Sequence, residues 1–239
     1  IKSYSPDAMV TPFYDADDSA EVSGECVASE KVEALAQRVL DEFLPRLHSL
    51  VIGPGLGRGE LALRVTKRII RGAVEANLPL VIDADGLFLV GQDLRVLDGC
   101  KSCVLTPNVV EFKRLVNSAI ISLKDGSWDP DRKNRIRNDL QSKNTQEQLL
   151  ALSTMLGVSI VLKGRHDLIV SPTSKFLYDV EEPAALRRCG GLGDVLAGSI
   201  GLALHWTSRT SNVGTSFTSS DLSDILPALP DGEAEGSNS

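Results

Sequence analysis

The chain has 239 residues, of which 42% are hydrophobic and 5% aromatic, and its 25 basic and 32 acidic side chains give a formal net charge of −7. That length and apolar content suffice for one full core, while the acidic balance opposes nonspecific binding to nucleic acid or to an anionic membrane. No apolar run approaches the length of a bilayer span, and the first residues show neither a signal peptide nor an arginine-rich transit pattern.

Four scattered cysteines (Cys26, Cys100, Cys103 and Cys189) make no disulfide framework, which suits a reducing compartment, either the cytoplasm or the mitochondrion if a leader precedes Ile1. Cys100 and Cys103 form a lone CxxC with no histidine nearby for zinc, so packing is the expected role, with Cys103 on a strand and Cys100 just before it. His48, His166 and His205 share no metal-ligand spacing.

In chain order, helical periodicity covers residues 32–44, and Leu50-Val51-Ile52 then reads as a strand buried on both faces. Gly53-Pro54-Gly55-Leu56-Gly57 follows. Its glycines either admit a ligand against the backbone or simply turn the chain into the helix expected over 60–76. The next strand, Leu80-Val81-Ile82, ends in Asp83-Ala84-Asp85-Gly86, where paired carboxylates can hold Mg²⁺ or meet a substrate hydroxyl, or Asp85 can cap a helix. Cys103-Val104-Leu105 leads into Thr106-Pro107-Asn108-Val109-Val110-Glu111-Phe112. Pro107 disfavours helix at Thr106, Asn108 can cap, and Glu111 falls at the third position of a capping box, which opens a helix over 109–116.

The charged stretch 122–143, with Pro130, reads as a solvated insertion, a surface loop or frayed helix. A helix over 145–156 precedes the strand Ser159-Ile160-Val161-Leu162, and Lys163 emerges at its end, able to reach a phosphate. Two short apolar runs, 168–170 and 175–178, flank Ser171-Pro172-Thr173-Ser174 as a hairpin or meander. The βαβα order implies a parallel sheet with helices on both faces and ligands at the carboxyl ends of its strands.

The run Arg187-Arg188-Cys189-Gly190-Gly191-Leu192-Gly193-Asp194 carries the most chemistry. Three glycines within four residues expose backbone N–H groups, and a helix expected from Val195 adds its positive end, so phosphate is the natural guest. Asp194 either caps that helix or takes a proton from a hydroxyl attacking the phosphate; the arginines upstream and the other strand-end motifs favour the second role.

Together VIGPGLG, VIDADGL, LTPNVVEFKRL, VLKGRHD and RRCGGLGDVLAGSIG resemble the ATP-dependent NAD(P)H-hydrate dehydratases, which have the ribokinase-like fold: an α/β architecture with a mostly parallel central sheet and helices on both faces. The resemblance spans about residues 1–206 and implies a partial family domain that starts inside the usual one, which has a further glycine-rich strand and helix ahead of IKSYSPDAMV. Residues 207–239, rich in Ser and Thr, are expected to form a disordered polar tail. The implied activity is the ATP-driven return of the S-epimer of hydrated NADH or NADPH to the normal cofactor, with release of ADP and phosphate. The resemblance places Gly55, Gly57, Asn108, Val109, Val110, Glu111, Phe112, Lys113, Arg114 and Asp194 around the hydrated nucleotide. It assigns Lys163, Gly164, Arg165, His166, Asp167, Ala184, Ala185, Leu186, Arg187, Arg188, Cys189, Gly190, Gly191, Leu192 and Gly193 to ATP. Asp194 becomes the base, the amides of Gly191, Leu192 and Gly193 the anion hole, and Mg²⁺ a bridge between ATP phosphates, with its protein ligands unassigned. The expected partners are these small molecules, without nucleic acid or membrane; a homo-oligomer is compatible. A small-molecule kinase of the same fold and an inactive, truncated nucleotide-binding protein are the alternatives.

Overall fold

The structure is a computed structural model that describes residues 29–125, 130–172, 177–180 and 189–211. Among the described residues, seven α-helices and six strands follow in the order α1 (Ser29–Glu42), β1 (Leu50–Ile52), α2 (Glu60–Glu75), β2 (Leu80–Ile82), α3 (Ala84–Gln92), β3 (Cys103–Leu105), α4 (Val109–Asp125), α5 (Pro130–Leu140), α6 (Thr145–Leu156), β4 (Ser159–Leu162), β5 (Asp167–Val170), β6 (Leu177–Val180) and α7 (Leu192–Ser211). The strands lie side by side in sequence order as one sheet. β1 to β4 are parallel, and β5 and β6 add an antiparallel edge, the expected meander.

Alternation along the strands explains the layers. Ile52, Leu80, Ile82, Cys103, Leu105, Ile160 and Leu162 join one continuous core with Ile70 of α2, Leu87 of α3, Phe112 of α4 and Leu149 of α6. Val51 and Val81, between them in the strands, face the other way and meet α7, where a side chain at Gly201 would start 3.0 Å from Val51 Cγ2. Helices thus cover both faces, as the apolar strand runs predict. Cys103 opens β3 and is buried. A hydrogen bond between its thiol and that of Cys100, both free cysteines, pulls the Cys100 pKa down to about 7 against the opposing effect of burial. The same bond, together with burial, pushes Cys103 well up. The packing role expected for the pair fits this arrangement.

At α4 and α7 the boundaries depart from the sequence reading. α4 runs on to Asp125 rather than stopping near Val116, because Ala119 and Leu123, both fully buried, extend its apolar face. α7 begins at Leu192, three residues before the expected start, with Gly191 in the left-handed region at φ +85° and Val195 N–H bonded to the Gly191 carbonyl. It continues to Ser211, five residues into the segment read as tail; the rest of that segment lies outside the described residues.

Within the stretch 122–143, the described residues 130–140 form no solvated insertion. α5 packs on α6 through Ile136, 6% exposed, and Leu140, fully buried. Gln148 Nε2 donates to the Leu140 and Ser142 carbonyls, closing the turn between the two helices. Leu140→Ala is therefore expected to destabilise the protein by about 2–5 kcal/mol, the range for a truncated core leucine, in urea unfolding. A surface residue would cost no more than about 0.5 kcal/mol.

Candidate active site

The carboxyl ends of β1 to β4 form one row, stitched by backbone hydrogen bonds. Asp83 N–H donates to the Ile52 carbonyl, Thr106 N–H to that of Ile82, and Lys163 N–H to that of Pro107. The glycine turn after β1 presses into this row: Gly53, at φ +121°, lies so close to Asp83 that a Cβ would stand 1.7 Å from the Asp83 carbonyl oxygen.

The two acids of Asp83-Ala84-Asp85 do not converge. Ala84, a non-glycine residue in the left-handed region at φ +48°, turns the chain between them. Asp85 reaches the glycine turn, accepting from Gly57 N–H at 3.1 Å and from Arg58 Nε at 2.8 Å. Arg58 then lies over the Phe88 ring, 4.5 Å from its centroid. Asp83 points across the row and accepts from Lys163 Nζ at 2.6 Å. Its side chain is 3% exposed and that of Lys163 19%. Neither acid caps α3 through its side chain: Asp83 is the N-cap but makes no side-chain capping bond, and Asp85 lies within the first turn.

The third strand end matches the capping-box expectation. Asn108 Oδ1 accepts from the N–H groups of Val110 and Glu111, while Glu111 accepts from Asn108 N–H at 2.8 Å. Of the residues assigned to the hydrated nucleotide here, Val109, Val110, Lys113 and Arg114 are exposed. Phe112 is 2% exposed and its side chain belongs to the core, so it anchors the helix instead of facing a ligand. Glu111 and Arg114 line a cavity of about 150 Å³ together with Arg58 and Phe88, which brings the glycine turn and the Asn108 segment to one place. Thr106, between them and the sheet, is fully buried, and its Oγ1 finds no hydrogen-bond partner among the described residues. An orphaned hydroxyl costs about 1–3 kcal/mol.

After β4, Gly164 N–H donates to Asp167 Oδ1, closing a tight turn that occupies the Asp167 carboxylate, and His166 Nδ1 stands 3.9 Å from Asp179. Arg165 and His166 are exposed. α7 starts beside this turn: a side chain at Gly193 would begin 3.5 Å from Lys163 Nζ and 3.6 Å from Asp83 Oδ2. Helix N–H groups, a lysine and a buried carboxylate thus meet at one point. Asp194, the third residue of α7, is exposed and is not the N-cap, so the capping alternative falls with the earlier helix start. Cys189 and Gly190 are exposed ahead of the helix, whereas Ala184, Ala185, Leu186, Arg187 and Arg188 lie outside the described residues.

A resident metal does not fit these donors. Among the described residues no three His, Cys, Asp or Glu side chains gather, and Asp83 and Asp85 are each engaged by a basic partner. No described helix is long and apolar enough to cross a membrane.

Comparison with known proteins decides the family. The family profile described as NAD(P)H-hydrate dehydratase matches residues 1–226. The chain belongs to the NAD(P)H-hydrate dehydratase family. Among its relatives, the ATP-dependent (S)-NAD(P)H-hydrate dehydratase of Aspergillus fumigatus is 38% identical over 212 residues, 89% of this chain and 55% of the relative. The human protein of that name is 37% identical over 207 residues, 86% and 50% of the two chains. This dehydratase-family chain therefore spans about half the length of the curated relatives it matches. Among solved structures, a ribokinase-like superfamily protein from Enterococcus faecalis aligns over 85% of this chain and 56% of its own, with TM-score 0.58 and 22% identity. A hydroxyethylthiazole kinase from Pyrococcus horikoshii aligns over 75% and 67%, with TM-score 0.50 and 17% identity. The fold is thus ribokinase-like.

Proposed function

We propose that this chain carries the ATP-dependent dehydration of the S-epimer of hydrated NADH or NADPH. Water has added across a ring double bond, and hydroxide is a poor leaving group at neutral pH. Transfer of the ATP γ-phosphoryl group to that hydroxyl, with its proton passing to Asp194, converts it to a phosphate ester. The C–O bond to phosphate then breaks as the neighbouring ring carbon gives up the proton that hydration had added, which passes to solvent; the electron pair of that C–H bond restores the double bond, leaving ADP and inorganic phosphate. The amides of Gly191, Leu192 and Gly193 stabilise charge on the transferred group, and Lys163 adds a cation beside them. The hydrated nucleotide lies over the glycine turn and the Asn108–Arg114 segment, with ATP at Lys163–Asp167 and residues 184–193.

The observation that best supports this reading is the meeting of Lys163 with the N-terminus of α7 at the end of the strand row, directly before Asp194. Incubation with ATP, Mg²⁺ and hydrated NADH tests it. Recovery of the reduced-nicotinamide absorbance with phosphate release is the expected result. A stable phosphorylated product would assign a kinase instead, and binding without turnover would leave a nucleotide-binding protein.

Lys163→Ala is expected to weaken ATP binding by about 1.5–3 kcal/mol, the scale of a hydrogen bond to a charged group, and to affect the hydrated nucleotide less. Calorimetric titration reads the effect; unchanged ATP affinity would remove Lys163 from the site. Unfolding is measured alongside, because the substitution leaves Asp83 buried without its partner.

A further inference from the structure

Asp83 has no place in the proposed chemistry, yet it is the most buried charge of the strand row. Its carboxylate bonds the ammonium of Lys163, and both atoms stand against Gly193 where α7 presents its N–H groups. A buried acid at the positive end of a helix, holding the lysine assigned to phosphate, occupies the surroundings an anionic ligand requires.

We propose that Asp83 is a built-in counter-anion of the phosphate site, engaging Lys163 until a polyphosphate ligand takes its place. The inference rests on the reading that Lys163 meets ATP phosphates. In the free protein the charges of the pair cancel, so the buried carboxylate and the half-buried lysine need no bound ion to be tolerated. An incoming anion has to separate Lys163 from Asp83 and accept the repulsion of the carboxylate left beside it. Every anion bears the same penalty. A single small anion, with few other contacts, then fails to bind at ordinary concentrations, while a nucleoside triphosphate, held also by the helix amides and its base and sugar, retains its affinity.

Calorimetric titration of the full chain with inorganic tripolyphosphate and with ATP tests this in the parent protein, Asp83→Asn, Lys163→Met and the double variant. With the carboxylate charge removed, Asp83→Asn is expected to bind tripolyphosphate on the order of tenfold more tightly. The gain should vanish when Lys163→Met is also present. An unchanged or weaker affinity in Asp83→Asn, or a gain that persists without the lysine, would overturn the proposal while leaving the ATP site in place. Failure of the parent protein to bind either ligand would overturn both.

If Asp83→Asn does not fold, the ammonium nitrogen of Lys163 in the parent protein supplies the test. Its ¹⁵N resonance is expected to move on addition of ATP as the partner changes from carboxylate to phosphate. An unmoved signal under saturating ATP would show that Asp83 keeps the lysine, and the proposal would fail.

Discussion

Asp194→Asn is expected to lower dehydratase turnover by at least about 10²–10⁴-fold, the contribution usually made by a general base. Asparagine has nearly the same shape but cannot take up the hydroxyl proton. The structural cost is small. Asp194 is exposed in the first turn of α7, where a carboxylate gains only about 0.3–1 kcal/mol from the helix dipole. Unfolding in urea should therefore change by no more than about 1 kcal/mol, and ATP binding should persist or tighten as a negative charge beside the phosphates disappears. A stopped-assay measurement of phosphate release, paired with ATP titration, separates these effects. Near-normal turnover would leave the mechanism without its base.

The largest effect on folding is expected from Gly53→Ala. A Cβ there would stand 1.7 Å from the Asp83 carbonyl oxygen and 2.7 Å from the Gly86 nitrogen, in a backbone conformation at φ +121° that side chains rarely adopt. These neighbours are backbone atoms and are bonded to one another, Gly86 N–H donating to the Asp83 carbonyl. They cannot swing aside as a flexible side chain would. Backbone strain of about 1–3 kcal/mol and overpacking of about 1–3 kcal/mol together predict a loss of about 2–6 kcal/mol in equilibrium unfolding. ATP affinity should fall as well, because moving Asp83 moves Lys163. Gly55→Ala is the control: it is at φ +67° with nothing within 4 Å of the added methyl, so only the conformational cost of about 1–2 kcal/mol remains. Equal losses in the two variants would contradict the close approach at Gly53.

The parts of this arrangement that sequence alone made legible are those written within a few residues. The capping box from Asn108 to Glu111 and the span of α6 follow from local chemistry, and the strand runs announce themselves because both faces of the sheet are covered. α5 was hidden because Ile136 and Leu140 are the only apolar residues of its eleven, too few to raise a periodic signal in a run of charges, although together they seal the helix onto α6. Long-range pairs were hidden for another reason. Asp85 with Arg58 and Asp83 with Lys163 are 27 and 80 residues apart, and only the sheet brings them together. Two aspartates two residues apart read naturally as a shared cation site; the left-handed turn at Ala84 that separates them has no signature in an alanine.

The strands lie in the same order in space as in the chain, so the row of carboxyl ends is also a ruler. Neighbouring strands are about 4.8 Å apart, which puts β1 and β4 about 14 Å from each other. That is short of the length of one extended dinucleotide, so two nucleotides cannot both lie along the row without overlapping. In the proposed reaction they would meet near β4, where Lys163 and α7 stand.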